Sequence, residues 1–183
     1  MGEATERPGI AVFGDSEPVC GSALYEEARR VGDLLARAGF TVITGGYGGV
    51  MEAASRGAVE AGGSAFGITA RALSPLRPAP NRYLTRHLEE EGLFERTREL
   101  IGRSAGYIIL RGKAGTLAEL TFLWALHRAR LLGDRPIVLL GGFWQGFLDK
   151  VDSLGLVEGS QLAITHVAGT PEDAVTAIRR SVR

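Results

Sequence analysis

The residues best placed to do chemistry lie in one short segment, Arg111-Gly112-Lys113-Ala114-Gly115-Thr116-Leu117-Ala118-Glu119. An apolar run, Gly106 to Leu110, leads into it, and a helical pattern leads out. A strand, a glycine turn and a helix start present free backbone N–H groups together with the partial positive charge of the helix. An anion of phosphate size is the natural ligand of such a turn. Glu119 stands one turn beyond it. A carboxylate there can hold hydroxyls, orient water or stabilise developing positive charge. Thr116-x-x-Glu119 also spells a capping box, in which Glu119 only satisfies a backbone donor of its own helix. Spacing alone leaves both roles open.

A second turn of this kind comes earlier. Phe40 to Ile43 is apolar, and Thr44-Gly45-Gly46-Tyr47-Gly48-Gly49-Val50-Met51-Glu52 follows, with four glycines in five positions. Glycine admits positive φ and lets a ligand approach where a Cβ would intrude. The spacing matches neither the G-x-G-x-x-G dinucleotide fingerprint nor the P-loop. A third turn, Gly14-Asp15-Ser16, ends the first apolar run, Ile10 to Phe13. Arg96 and Arg98 precede the Tyr107 strand on a helix, where arginines ordinarily form a solvated face. The loop at 70–82 carries Arg71, Arg77 and Arg82, either as a solvated connection or as the edge of an anion site. His87, His127 and His166 lack metal-ligand spacing, so no metal site and no cofactor is expected. Cys20 reads as a packed small residue rather than a nucleophile.

These turns need strands and helices to position them. Helical patterns cover about Gly21 to Ala38, the segment ending near Ala61, Leu93 to Arg103, Thr116 to Leu132, Trp144 to Leu154, and a last helix begun by Thr170-Pro171. Leu93, Leu100 and Ile101 are the expected inner face of the third, and Leu117, Leu120, Leu123, Trp124 and Leu131 the apolar positions of the fourth. Strands are expected at Ile10–Phe13, Phe40–Ile43, Ser64–Ile68, within Tyr83–Glu90, and at Gly106–Leu110, Pro136–Leu140 and Leu162–Val167. Pro75, Pro78 and Pro80 exclude regular structure from about Ala70 to Arg82. The alternation predicts an α/β fold, Rossmann-like and doubly wound, with a mostly parallel sheet and helices on both faces. Ligands of such sheets sit at the carboxyl ends of the strands, where all three turns fall.

The 183 residues fit one domain, read as residues 9–183 after a flexible tail at 1–8. Lys plus Arg and Asp plus Glu both count 21, which gives no global attraction to nucleic acid or to an anionic membrane. A single cysteine excludes an internal disulfide framework and fits a reducing compartment. With no membrane-length apolar stretch and no signal core, the expected location is cytoplasmic.

The motifs resemble a known family. Gly45-Gly46-Tyr47-Gly48-Gly49-Val50-Met51-Glu52-Ala53-Ala54-Ser55-Arg56-Gly57-Ala58 is similar to the GGGPGxMEAANRGA segment of the LOG ("Lonely Guy") family, long labelled lysine-decarboxylase-like. Arg111 to Leu120 resembles that family's PGGxGTxxEL, and Glu95-Arg96 stands where it has E-R-K. The resemblance spans about Ile10 to Leu148. It implies a Rossmann-like, usually homodimeric phosphoribohydrolase that cleaves nucleoside 5′-monophosphates, cytokinin nucleotides among them, to free base and ribose 5-phosphate. It implies Arg96 and Glu119 as the catalytic pair, with substrate and phosphate held by Gly14, Ser16, Gly45, Gly46, Gly48, Gly49, Met51, Gly112, Gly115 and Thr116. No lysine sits in a setting that supports the older decarboxylase label. Two departures stand out: Arg111 replaces the family's proline and Lys113 its second glycine. They fit a more anionic ligand or a lost hydrolase activity. The related molybdenum cofactor carrier proteins, which bind a phosphorylated pterin without converting it, supply the alternative of a non-catalytic binder.

Overall fold

The computed structural model describes residues 7–73 and 79–182. Most of the expected tail and the loop arginine Arg77 lie outside them. Seven strands form one sheet in the order β4-β3-β2-β1-β5-β6-β7. They are β1 (Gly9–Phe13), β2 (Thr41–Thr44), β3 (Ala65–Ala70), β4 (Arg86–Glu90), β5 (Ser104–Ile109), β6 (Ile137–Leu140) and β7 (Thr165–Ala168). Every pairing is parallel. The helices are α1 (Ala23–Arg37), α2 (Val50–Glu60), α3 (Leu93–Gly102), α4 (Ala114–Arg128), α5 (Phe143–Ser153), α6 (Gly159–Ala163) and α7 (Pro171–Ser181). The winding reverses at β1, which has β2 on one side and β5 on the other. The crevice of a doubly wound sheet opens at that reversal.

Period-two alternation along the strands divides the core in two. Ile10, Val12, Val42, Ile108, Leu110, Val138 and Leu140 face α1, α2 and α7. Ala11, Phe13, Ile43, Phe66, Ile68, Tyr107, Ile109, Ile137 and Leu139 face α3, α4 and α5. The first layer is tightest where α1 crosses α2. A Cβ on Gly57 would strike the Arg29 carbonyl, and one on Gly32 would strike that of Ala54. Both obstacles are backbone and cannot swing aside. Gly57→Ala should therefore cost about 2 kcal/mol of stability, the usual scale of overpacking, read as a lower urea midpoint at unchanged slope.

Several boundaries differ from the sequence pattern. β3 runs on to Ala70, and Arg71–Leu73 forms one turn of 3-10 helix before the proline-rich loop. α4 begins at Ala114 rather than Thr116. The expected last strand, Leu162–Val167, is displaced by α6, and β7 starts only at Thr165. Glu158 and Gln161 form a reciprocal capping box that nucleates α6. The inner face of α3 also differs: Leu100 and Ile101 are buried, but Leu93 is exposed. Leu131 lies beyond the end of α4 and is exposed as well.

Candidate active site

The three turns meet at the carboxyl ends of β1, β2 and β5. Asp15 ties them together: its N–H donates to the Arg111 carbonyl at 3.1 Å, and its carbonyl accepts from Val50 at 2.8 Å. Gly49, with φ of 68°, lies so close beneath this strap that a Cβ would meet the Asp15 carbonyl and the Ser16 backbone. Gly14 packs on the Val50 side chain, and Gly48 faces nearly open space.

The first turn uses part of its polarity internally. Gly46 N–H donates to Thr44 Oγ1 at 3.2 Å, and the Gly46 carbonyl accepts from Asn81 N–H at 2.8 Å. Gly45 has a different reason to be bare: its missing Cβ is the space filled by the Arg96 guanidinium. Arg96 is only 9% exposed, so the solvated-face expectation fails for it while it holds for Arg98. Its Nε donates to the Ile68 carbonyl at 2.8 Å, Nη2 lies 3.9 Å from Met51 Sδ, and the guanidinium sits over the Tyr47 ring. Tyr47 is held by its hydroxyl, which donates to the Ala70 carbonyl and accepts from the Ala70 N–H, each at 3.1 Å. Tyr47 is thus a supporting residue that the motifs did not single out. The burial of Arg96 was readable, because it lies one helical turn before Leu100 on the apolar stripe.

The second turn keeps its donors outward. Lys113 is the N-cap of α4 and supplies no side-chain cap, so helix geometry leaves the N–H groups of Ala114, Gly115 and Thr116 without acceptors inside the helix. Thr116 is therefore the third residue of α4 and not its cap, and Glu119 sits in the second turn. The capping-box role is excluded. Gly112 must be a glycine, since a Cβ would collide with Thr116 Oγ1, whereas Gly115 faces open space. The two departures from the resembled motif are both turned aside. Lys113 pairs with Glu17, and Arg111 lies over the Phe143 ring at 5.6 Å. Lys113 has φ of −106°, which any residue adopts. Lys113→Gly is accordingly expected to change ligand affinity by no more than about twofold, because an exposed pair of this kind contributes little; calorimetry with ribose 5-phosphate checks it.

Arg96 from α3 and Glu119 from α4 both line a groove of about 740 Å³ between the two helices, which reaches Gly115 at one end. Glu119 makes no hydrogen bond to a described residue. Burial pushes its carboxyl up to about 7, and the nearby Arg96 charge opposes that rise. The site therefore combines a helix start with no side-chain cap, a fixed guanidinium, and a carboxyl that changes charge near neutral pH. Such a combination in a cleft marks a site for chemistry more often than one for packing.

The remaining candidates are elsewhere. Arg71 pairs with Glu89 and Glu91, and Arg82 lies over Tyr83, so neither faces the crevice as a bare cation. Cys20 is exposed rather than packed, and its sulfur accepts from Arg56 at 3.2 Å. Among the described residues no group of three or more His, Cys, Asp or Glu is placed to hold a metal. No helix among them is long and apolar enough to cross a membrane.

Fold and site together define a Rossmann-like α/β protein with a crevice at the strand ends. The chain belongs to the SLOG cluster4 family, whose family model matches residues 7–154. A protein of Archaeoglobus fulgidus, described as uncharacterized, is 32% identical over 134 residues, covering 73% of this chain and 83% of its own. The molybdenum cofactor binding protein of Rippkaea orientalis superposes with a TM-score of 0.77 at 23% identity, covering 98% of this chain and all of its own. The molybdenum cofactor carrier protein of Chlamydomonas reinhardtii gives 0.72, also at 23% identity, covering 96% and 98%. At that identity the likeness speaks for the fold.

Proposed function

We propose that this protein is a cytoplasmic phosphoribohydrolase that cleaves the N-glycosidic bond of a nucleoside 5′-monophosphate. The observation that carries the reading is Glu119: a carboxyl that makes no hydrogen bond to a described residue, beside a buried arginine and one turn from a free helix N-terminus. The 5′-phosphate binds the N–H groups of Ala114, Gly115 and Thr116, which places the ribose over Glu119. As the bond from C1′ to the base nitrogen breaks, its electron pair leaves with the base and positive charge builds on the ribose. Ionised Glu119 stabilises that charge, and water adds to C1′. The proton released by the water balances the one gained by the base. Arg96, locked by Ile68, Met51 and Tyr47, keeps Glu119 ionised at the moment of reaction. Incubation with a panel of nucleoside monophosphates, followed by assay of free base, tests this. No base from any of them sinks it.

The second reading is a non-catalytic carrier of a phosphorylated ligand. It is favoured by the likeness to two molybdenum cofactor proteins. The same helix start holds the phosphate in both readings. They part at Glu119, which a carrier does not need. A phosphorylated pterin recovered unchanged, with no base released from nucleotides, decides for the carrier.

A further inference from the structure

A short segment, residues 81–85, braces the first glycine turn from outside, between the proline-rich loop and β4. Thr85 pairs with the start of β3: its N–H donates to the Ala65 carbonyl at 2.8 Å, and its Oγ1 accepts from the Ala65 N–H at 3.0 Å. Leu84 fills the notch left by Gly67, where a Cβ would strike its Cδ1. The Tyr83 ring packs against the guanidinium of Arg56 from α2, at 5.7 Å. Asn81 is therefore presented by a fixed backbone.

Asn81 uses its backbone and both ends of its carboxamide. Its N–H donates to the Gly46 carbonyl at 2.8 Å, and Nδ2 donates to the Tyr47 carbonyl at 3.1 Å. Oδ1 accepts from the Tyr83 N–H at 3.1 Å, an Asx turn. That last bond orients the carboxamide: its oxygen faces a donor, so its nitrogen is left for the Tyr47 carbonyl. One residue thus fixes the carbonyls of two successive residues of the turn.

We infer that Asn81 is a positioning residue: by holding the Gly46 and Tyr47 carbonyls it sets the Tyr47 ring, and through that ring the place of the Arg96 guanidinium beside Glu119. The inference rests on the Arg96–Glu119 pair of the function proposed above. The Tyr47 side chain is a lever held at both ends. Its hydroxyl is tied to the N–H and carbonyl of Ala70, and its backbone is tied to Asn81. Arg96 stands over the ring between them, 5.7 Å from its centroid, and fills the space beside Gly45 at the start of the same turn. Freeing the backbone end lets Tyr47 and Gly45 drift, and the guanidinium drifts with them. The other charged groups that line the groove with Glu119 are Arg98 and Arg135. Arg98 lies beside Glu99, and Arg135 donates to the Ile101 carbonyl and the Tyr107 hydroxyl. Those partners lie outside the glycine turn, so Asn81 reaches Glu119 through Arg96.

Asn81→Ala tests this, because it removes both side-chain bonds and keeps the backbone one. The readout is the titration midpoint of the Glu119 carboxyl, followed by carboxyl-carbon NMR of glutamate-labelled protein and assigned by its loss in Glu119→Gln. The wild type should titrate at about 7. In Asn81→Ala the midpoint should rise by about half a pH unit or more, because the opposing charge has retreated. Base release, as kcat/KM, should fall by about tenfold. Affinity for ribose 5-phosphate should stay within about twofold, since the start of α4 holds the phosphate. Thr170→Ala, which removes the cap of α7 on the opposite face of the sheet, should lower the urea midpoint and leave the carboxyl midpoint where it is, so lost stability alone does not mimic the effect. Tyr47→Phe frees the other end of the same lever and should raise the carboxyl midpoint as well. An unmoved midpoint in folded Asn81→Ala overturns the inference, and Tyr47→Phe decides in the same way where Asn81→Ala does not fold. A fall in ribose 5-phosphate affinity at an unmoved midpoint also overturns it, by making Asn81 a ligand contact. The midpoint is read without turnover. A wild type that releases no base therefore sinks the proposed function and leaves this measurement standing.

Discussion

Glu119→Gln is expected to leave a folded protein whose base release falls by about 10²- to 10³-fold, the loss typical of removing one charge that stabilises a transition state. Glutamine keeps the size of the side chain and its carbonyl, and Glu119 caps nothing, so the fold has no reason to suffer. The substitution should in fact stabilise the protein at alkaline pH. In the folded state the carboxyl is pushed up to about 7 by burial, against about 4.5 in the unfolded chain. Between those values the native state holds a proton that the unfolded chain has lost. Stability therefore falls as pH rises through that window, by up to about 3 kcal/mol. Glutamine carries no charge to desolvate and removes this slope. Urea midpoints at pH 5 and pH 8 should show the variant nearly matching the wild type at the lower pH and exceeding it at the higher. A variant less stable at both would mean that Glu119 is held by a favourable contact. Activity lost while stability is gained is what a strained functional carboxyl predicts.

The second large effect is expected at Gly45, a residue that touches no reacting atom. An alanine there would put its Cβ into the Arg96 guanidinium and 2.6 Å from Met51 Sδ. Both obstacles are the ends of flexible side chains, so the chain should still fold, with Arg96 displaced. Its bond to the Ile68 carbonyl and its place over Tyr47 would be lost, and Glu119 would lose the charge that opposes protonation. Base release is expected to fall by about 10²-fold, with the apparent pKa of the pH–rate profile moved above that of the wild type. Turnover reduced with an unmoved profile would separate Gly45 from the charge pair.

The order of strands and helices was legible because buried parallel strands are apolar runs closed by glycine, and this chain punctuates nearly every one that way. The two glycine turns were legible for the same reason. What spacing left open was the direction of individual side chains. Thr116 and Glu119 spell a capping box, and only the position of Lys113 ahead of α4 removes that role. Arg96 and Arg98 differ by two residues, yet Arg96 is buried and Arg98 exposed; the apolar stripe through Leu100 carries that information, while the residue type alone misleads. Leu93 and Leu131 were read as core because they are leucines. They are exposed because both lie at helix ends, where they line the open groove between α3 and α4. α6 was missed because Leu162 to Val167 satisfies a strand pattern, and the Glu158–Gln161 box ahead of it outweighs that pattern.

The most direct test of the central claim is the pH dependence of base release from a nucleoside 5′-monophosphate by the wild-type protein. If ionised Glu119 acts on the ribose, free base and ribose 5-phosphate appear in equal amounts, and kcat/KM rises through pH 7 to a plateau above it. Absence of base release at every pH, from every nucleoside monophosphate supplied, would contradict it.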